Sequence, residues 1–323
     1  MSNGDIRINI EIDKLAFTVD VDNDCKEGIT SQILDGIHDS DPIFLPVPRK
    51  KRIPSYRFTY QFELDSRQNS YCKISIGPNN DSYKFFRFEF NPSKVGRHGY
   101  ERLNDVLTYL LETSGIDHLA EAIITRLDIA LDIRGRRPSE LIIFAGGFGK
   151  FGTVNNNHSG EIETLYFGHS EGNRSLCIYD KQAEQREKYG NHILPTTRIE
   201  ARLRRRMPPI ELRSLHSPFN IVHITDGQDL PDSTRLPTDI RFILAYIQRH
   251  GTGLTLRVFD RPSERRQWRR RLLELSEAEW WDHDAIWNDN WTDAANPLLR
   301  LFHAPEMPTF RRVRRRRERT RGR

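Results

Sequence analysis

Apolar and polar residues alternate with a period of two in four separate segments, and successive side chains of a β-strand point to opposite faces of its sheet. In residues 124–133 (ITRLDIALDI), Thr125, Leu127, Ile129, Leu131 and Ile133 fall on one side, and Arg126, Asp128, Ala130 and Asp132 on the other. Residues 85–94 (FFRFEFNPSK) alternate Phe86, Phe88 and Phe90 with Arg87 and Glu89, then stop at Pro92, which has no amide hydrogen to give a ladder. Residues 198–204 (RIEARLR) set Ile199, Ala201 and Leu203 against Arg198, Glu200, Arg202 and Arg204. Residues 175–181 (SLCIYDK) set Leu176, Ile178 and Asp180 against Cys177, Tyr179 and Lys181. Each pattern predicts a strand with one face built for burial and the other carrying charge. A half-solvated antiparallel sheet alternates in the same way and needs no function. What departs from that reading is the choice of residues: acids sit among arginines where a solvated face carries a mixture of Lys, Thr, Glu and Ser. Acids interleaved with arginines suit a metal ion and a phosphodiester.

Other segments read at helical spacing. Residues 99–115 place Tyr100, Leu103, Val106, Leu107, Leu110 and Leu111 on one stripe, with Gly115 as a stop. This helix is expected to cover the apolar face of the sheet. A second helix is expected after the apolar run 139–148, and the Gly and Asn residues of 150–163 mark a hairpin or loop. The chain after Tyr179 is expected to turn into a short helix ending at Gly190, which leaves Tyr179 near a strand end. Residues 238–251 offer Thr238 as a cap and Ile240, Ile243, Leu244 and Ile247 as an apolar stripe. Residues 261–281 open on Pro262 and cluster Arg265, Arg266, Arg269, Arg270 and Arg271 around Trp268, as a DNA-reading helix or a solvated basic face. Residues 280–291 hold four of the five tryptophans and suit packing or an interaction surface. No internal repeat or heptad run is visible.

The segments RLDIALD, FEFNPSK, LYFGHSEGNRSLCIYDKQAE (165–184) and RIEARLR resemble the trans-acting rolling-circle replication initiators of small plasmids and filamentous phages. The resemblance runs from about Asp13, in DKLAFTV, to about Arg206. It implies a sequence-specific DNA nickase whose tyrosine, here Tyr179, becomes joined to the 5′ phosphate at the nick. It also implies a divalent metal, recruitment of a host helicase and an origin DNA partner, and it leaves a homodimer open. The expected fold class is α+β, a central, mainly antiparallel sheet with helices on one face, followed by a small helical C-terminal region. The expected division is a nicking and joining domain at 1–214, a Pro-, Asp- and Ser-containing linker at 215–237, a helical region at 238–305, and an arginine-rich tail at 306–323.

The chemistry can be reasoned on the same residues. A phenol of ordinary pKa near ~10 is a poor nucleophile at neutral pH, so the site must favour phenolate through nearby positive charge or a metal. Lys181, two residues beyond Tyr179, is expected on its face to hold a phosphate or assist deprotonation. Magnesium or manganese prefers oxygen ligands, which points to Glu89, Asp128 and Glu200, with Asp132 behind them and Asp180 facing away. Arg126 and Arg198 either stabilise charge on phosphoryl oxygens or simply pair with these acids. None of the 11 histidines forms the His-x-His found in many tyrosine nickases, so carboxylates must dominate any metal site. Tyr166 reads as a strand aromatic and Tyr189 as a helix residue, and a second acting tyrosine stays open. Two further readings remain: a non-catalytic DNA-binding replicon protein, and a metal-dependent nuclease without a covalent intermediate.

Charge sharpens the expected contacts with DNA. Residues 311–323 contain nine arginines and one acid, a local +8, which leaves −3 for the preceding 310 residues of a chain whose net charge is +5. Such a run cannot bury apolar surface, and phosphate is its natural partner. Arg312 and Arg315 in this tail, Arg49, Lys50, Lys51 and Arg52 between prolines at 46–54, and Arg265, Arg266 and Arg269 are the expected DNA contacts, with an RNA-binding or solubilising tail and a merely solvated 46–54 loop as the alternatives. Cys25, Cys72 and Cys177 show no paired spacing and read as reduced thiols. The first residues lack the basic and apolar regions of a signal peptide, and the longest apolar stretch, 141–148, is far too short to span a membrane. A cytoplasmic location is the expectation.

Overall fold

The structure, a computed structural model, describes residues 6–38, 43–111, 119–148, 154–156, 160, 162–169, 172–228, 230, 236–275 and 277–308. Gly115, Arg312 and Arg315 lie outside them. The strands in chain order are β1 (Arg7–Val19), β2 (Leu45–Pro46), β3 (Tyr56–Asp65), β4 (Ser70–Pro78), β5 (Phe86–Phe90), β6 (Ile123–Arg134), β7 (Leu141–Ala145), β8 (Val154–Asn156), β9 (Ile162–Phe167), β10 (Arg174–Asp180), β11 (Thr196–Leu203) and β12 (Val222–Asp226). The helices are α1 (Asn23–His38), α2 (Arg97–Leu111), α3 (Lys181–Tyr189), α4 (Thr238–Arg257), α5 (Pro262–Leu273) and α6 (His283–Leu301). All four alternating segments are strands. The fold is α+β, and its main sheet runs β2-β3-β4-β5-β1-β6-β11-β10-β9-β8 with every pairing between these strands antiparallel.

The apolar face of this sheet is the core. Phe17 stacks on Phe88 at 5.0 Å between centroids, Phe88 on Phe86 at 5.4 Å, and Phe302 meets Phe17 edge-on at 4.9 Å. Ile29 and Ile33 of α1, Leu103, Leu107 and Leu110 of α2, and Leu298 and Leu299 of α6 close over it in one cluster of buried side chains. In β1 the buried set changes parity, from Ile10 and Ile12 to Leu15, Phe17 and Val19, because a bulge between Ile12 and Lys14 inserts one residue against β6. The bulge keeps both apolar runs on one side of the sheet. The extra residue is Asp13.

Residues 141–145 belong to the apolar run after which a second helix is expected. This apolar run is a strand, β7, paired with β12 in a second, two-stranded sheet. Leu141, Ile143 and Ala145 join the main core, while Ile142 and Phe144 face a smaller one with Leu244 and Ile247 of α4 and Leu272 of α5. A strand covered on both faces reads as a continuous apolar run, which periodicity cannot tell from a helix. Beyond it, the described residues 154–156 are strand, not helix.

The span 215–237, expected as a linker, carries β12 and is held by indole N–H groups. Trp281 donates to the Val222 carbonyl at 3.0 Å, Trp287 to Leu215 at 3.2 Å, and Trp291 to Leu212 at 2.8 Å. A buried aromatic that also satisfies a backbone carbonyl packs and orients in one step. The tryptophan cluster is therefore packing. Among the described helices none is long and apolar enough to cross a membrane.

One buried ion pair links the two sheets. Arg136, just past β6, donates from Nε to Asp226 of β12 at 2.6 Å, with their side chains 4% and 0% exposed, and Trp280 Nε1 donates to the same carboxylate at 3.1 Å. Removing one member of such a pair strands a charge in low dielectric and costs about 3–5 kcal/mol. Asp226→Ala is accordingly expected to lower stability by about that amount, read as a fall in the urea midpoint at unchanged slope.

Candidate active site

The face opposite the core is a continuous polar surface. Across β9, β10, β11, β6 and β1, one row of partners reads Tyr166, Cys177, Glu200, Ala130 and Glu11, and the next reads Thr164, Tyr179, Arg198, Asp132 and Asn9. Glu89, Asp128, Asp132 and Glu200 on this face are buried beneath arginines, contrary to an open charged surface. Arg87 holds Glu89 at 2.8 Å, Arg126 holds Asp128 at 2.6 Å, and Arg202 holds Glu200 at 2.7 Å, each across two residues of one strand. Arg198 grips Asp132 from the neighbouring strand with two bonds of 2.6 and 2.7 Å. It also pairs with Glu11 and, at 3.3 Å, with Asp13, the residue thrown out by the bulge. For Arg126 and Arg198 the structural pairing with the acids is thus what the geometry displays.

Tyr179 is the penultimate residue of β10, directly opposite Arg198. It opens into a cleft of about 280 Å³ lined also by Glu163, Tyr166, Glu184, Glu200 and Arg202. Its hydroxyl has no hydrogen-bond partner among the described residues. Burial pushes its pKa above the ordinary phenol value; Arg198 opposes this, while Glu184, Glu200 and Asp13 push it further up. The free site therefore holds a neutral phenol, where the sequence argument asked for a phenolate.

Lys181 reaches Tyr179 by another route than expected. The strand stops at Asp180, whose carboxylate caps α3 by accepting from the Ala183 amide at 2.9 Å, so Lys181 is the first helical residue and not the next strand residue on that face. Its ammonium still lies 5.8 Å from the centre of the Tyr179 ring and pairs with Glu184 at 2.7 Å. Burial would raise the Glu184 pKa, but hydrogen bonds from Lys181 and Lys188 outweigh it and hold the carboxyl below its ordinary value. Gly190 ends α3 in the left-handed region at φ 67°, where a side chain would be strained.

The remaining expected residues are dispersed. Arg49, Lys50 and Lys51 form an exposed 3-10 turn, with Arg52 beside it, at the β2 edge. That edge is seven strands from β10, about 34 Å at ~4.8 Å per strand. Arg265 and Arg266 are exposed on α5 and Arg269 is half-buried, while Trp268 stacks on Phe259 and under Arg271. Glu89 lies on β5, three strands from Glu200. Tyr166 lines the Tyr179 cleft, and Tyr189 is 55% exposed at the end of α3.

As the side chains stand, Glu89, Asp128, Asp132 and Glu200 do not present a set of ligands for magnesium or manganese. Each is already matched to a guanidinium, and among the described residues no group of three His, Cys, Asp or Glu is placed to hold a metal. Glu163 and Glu184 are cleft residues that strand periodicity passed over, and Arg202, placed on the charged face, was given no role there. Glu184 was visible only as the centre of a Lys181–Glu184–Lys188 series at i,i+3 and i,i+4 spacing.

No family model matches the chain, and no curated protein matches it. Among solved structures, a rolling circle replication initiator protein from Geobacillus stearothermophilus is similar over 75% of this chain and 97% of that chain, at 17% identity and a TM-score of 0.38. The likeness is distant.

The geometry separates two roles by stability. Tyr179→Phe removes a hydroxyl without a partner and is expected to change unfolding free energy by less than about 0.5 kcal/mol. Arg198→Ala leaves Asp132 buried and unpaired and is expected to cost about 3–5 kcal/mol. Thermal unfolding of the two variants checks both.

Proposed function

We propose that this chain nicks and rejoins single-stranded DNA at a replication origin through a 5′-phosphotyrosine on Tyr179. The observation that carries the proposal is a phenol at a strand end whose hydroxyl has no hydrogen-bond partner among the described residues, in a cleft it shares with Arg202 and with Lys181 over its ring. Side chains with no structural partner beside paired cations are what a phosphoryl-transfer site requires. The resemblance of the four strand segments to rolling-circle initiators supplies the reaction class.

In this reading Tyr179 Oη attacks the scissile phosphorus, the P–O3′ bond breaks, and the 3′ oxygen leaves and takes up a proton. The phenol loses its proton to solvent in the open cleft before it attacks, so the attacking species is the phenolate. Among the described residues Arg202 gives only its Nε–H to Glu200, so the rest of its fork can meet the phosphoryl oxygens. Arg198, already matched by three carboxylates, positions the strand pair behind Tyr179 instead. The phosphotyrosine keeps the energy of the phosphodiester, so the 3′ hydroxyl can be extended and the strand later rejoined. The divalent metal implied by the motif resemblance has no ligand set among the described side chains as they stand, and loss of adduct formation on chelation is the test of it. The helicase partner and the homodimer rest on the motif resemblance alone, as does the origin itself.

Incubation of wild type and Tyr179→Phe with labelled single-stranded oligonucleotides and manganese is expected to give a 5′-linked adduct on a denaturing gel in wild type only. Metal-dependent cleavage without adduct, equal in both proteins, would replace the proposal with a hydrolytic nuclease. Binding of the cognate strand with no cleavage would leave a non-catalytic DNA-binding protein.

The raised phenol pKa gives a second test. Below that pKa the phenolate fraction grows tenfold with each pH unit, so single-turnover adduct formation is expected to climb through neutral and mildly alkaline pH without a plateau below about pH 10. A plateau near neutrality would show that Tyr179 is not the group titrating.

A further inference from the structure

The strand order of the main sheet is palindromic. β1 and β6 pair at its centre, β5 and β11 flank them, and then follow β4 and β10, β3 and β9, and β2 and β8. In each half the first strand is central, and the last three in chain order form a meander that returns to pair with it. A pseudo-twofold through the β1–β6 pair therefore relates the halves, although no repeat shows in the amino acids.

The cross-strand registers make the relation residue by residue. Laying Arg87 and Glu89 of β5 on Arg198 and Glu200 of β11 carries Ala16, the partner of Glu89, onto Ala130, the partner of Glu200. The same operation carries Thr59 onto Thr164, the partners of Ser75 and Tyr179. Tyr179 then corresponds to Ser75, Cys177 to Lys73, Asp132 to Thr18 and Asp128 to Lys14. The second half-site has kept the arginine and the glutamate, lost the phenol and both aspartates, and gained two lysines.

The charge consequence is direct. Lys14 and Lys73 both approach one oxygen of Glu89, at 3.8 and 3.7 Å, while Arg87 takes the other at 2.8 Å. Three cations share one carboxylate. The lysine side chains are 35% and 30% exposed, so their excess charge faces solvent. From Lys73 on β4 to Tyr179 on β10 is five strand spacings, about 24 Å at ~4.8 Å each. Lys14, Arg126 and Arg202 stand on the strands between.

We propose that the Lys14, Lys73 and Arg87 half-site binds backbone phosphate of single-stranded DNA without cutting it, and so holds the strand that crosses the sheet to Tyr179. The direction of that path rests on the nicking function proposed above; the phosphate site does not.

The test is the salt dependence of binding of a fluorescein-labelled oligo(dT) strand, read by anisotropy, for wild type, Lys14→Gln/Lys73→Gln, Lys14→Arg/Lys73→Arg, and Arg97→Gln. Arg97 is 90% exposed on α2 and controls for loss of charge alone. The glutamine pair is expected to reduce the slope of log affinity against log salt by about 0.7 to 1.4, one or two phosphate contacts on a single strand. The arginine pair is expected to restore it, which separates charge from misfolding. A slope unchanged in the glutamine pair, a drop no larger than that of Arg97→Gln, or no salt-dependent binding by wild type would overturn the half-site. Adduct formation is measured in the same preparations: its absence beside a reduced slope would reject Tyr179 as nucleophile and leave the phosphate site standing.

Discussion

Arg198 is the interaction on which the polar face depends. A guanidinium in a buried position is tolerable only when its charge and donors are matched, and here Asp132, Glu11 and Asp13 match it from two other strands. These partners join β11, β6 and β1 on the face where no apolar packing can do so. One of them exists only because β1 carries a bulge, and Asn91 donates to the same Asp13 oxygen at 3.1 Å, which steadies it from the end of β5. Tyr179 stands directly opposite this node. Its ring position is inherited from a network whose members are held mainly by one another.

The strands were legible in the amino acids because each meets the core on one side and charge on the other, so period two survives intact in β5, β6, β10 and β11. No alternation marks β7, because burial on both faces erases it, and at 215–237 Pro, Ser and Asp suggest looseness where indole N–H groups hold the Leu215 and Val222 carbonyls. At the site, the position of Tyr179 near a strand end was readable from the short helix expected to follow it and to end at Gly190. The pairing state of each acid was not, because a carboxylate two residues from an arginine reads the same whether it awaits a metal or is already matched. The Glu163 and Glu184 walls come from a strand and a helix that only the fold brings together.

The palindromic sheet explains why charge is spread over a face far wider than the Tyr179 cleft needs. Two meanders built on one plan present equivalent positions, and substitution at a few of them is enough to make one acidic with a phenol and the other basic without it. The relation is not visible in the amino acids, since Ser75 and Tyr179 share nothing but a place in the ladder.

Asp180 also settles what is free to move. The backbone on one side of Tyr179 is tied into ladders with β9 and β11, and on the other it enters a helix whose first turn Asp180 caps. The phenol can therefore turn about its own side-chain bonds but cannot travel, and in the proposed reaction a nucleic-acid end fastened to it would be fastened to backbone held on both sides. In the proposed reaction, any exchange of ends between cutting and joining falls to the polynucleotide, which must come to a stationary anchor.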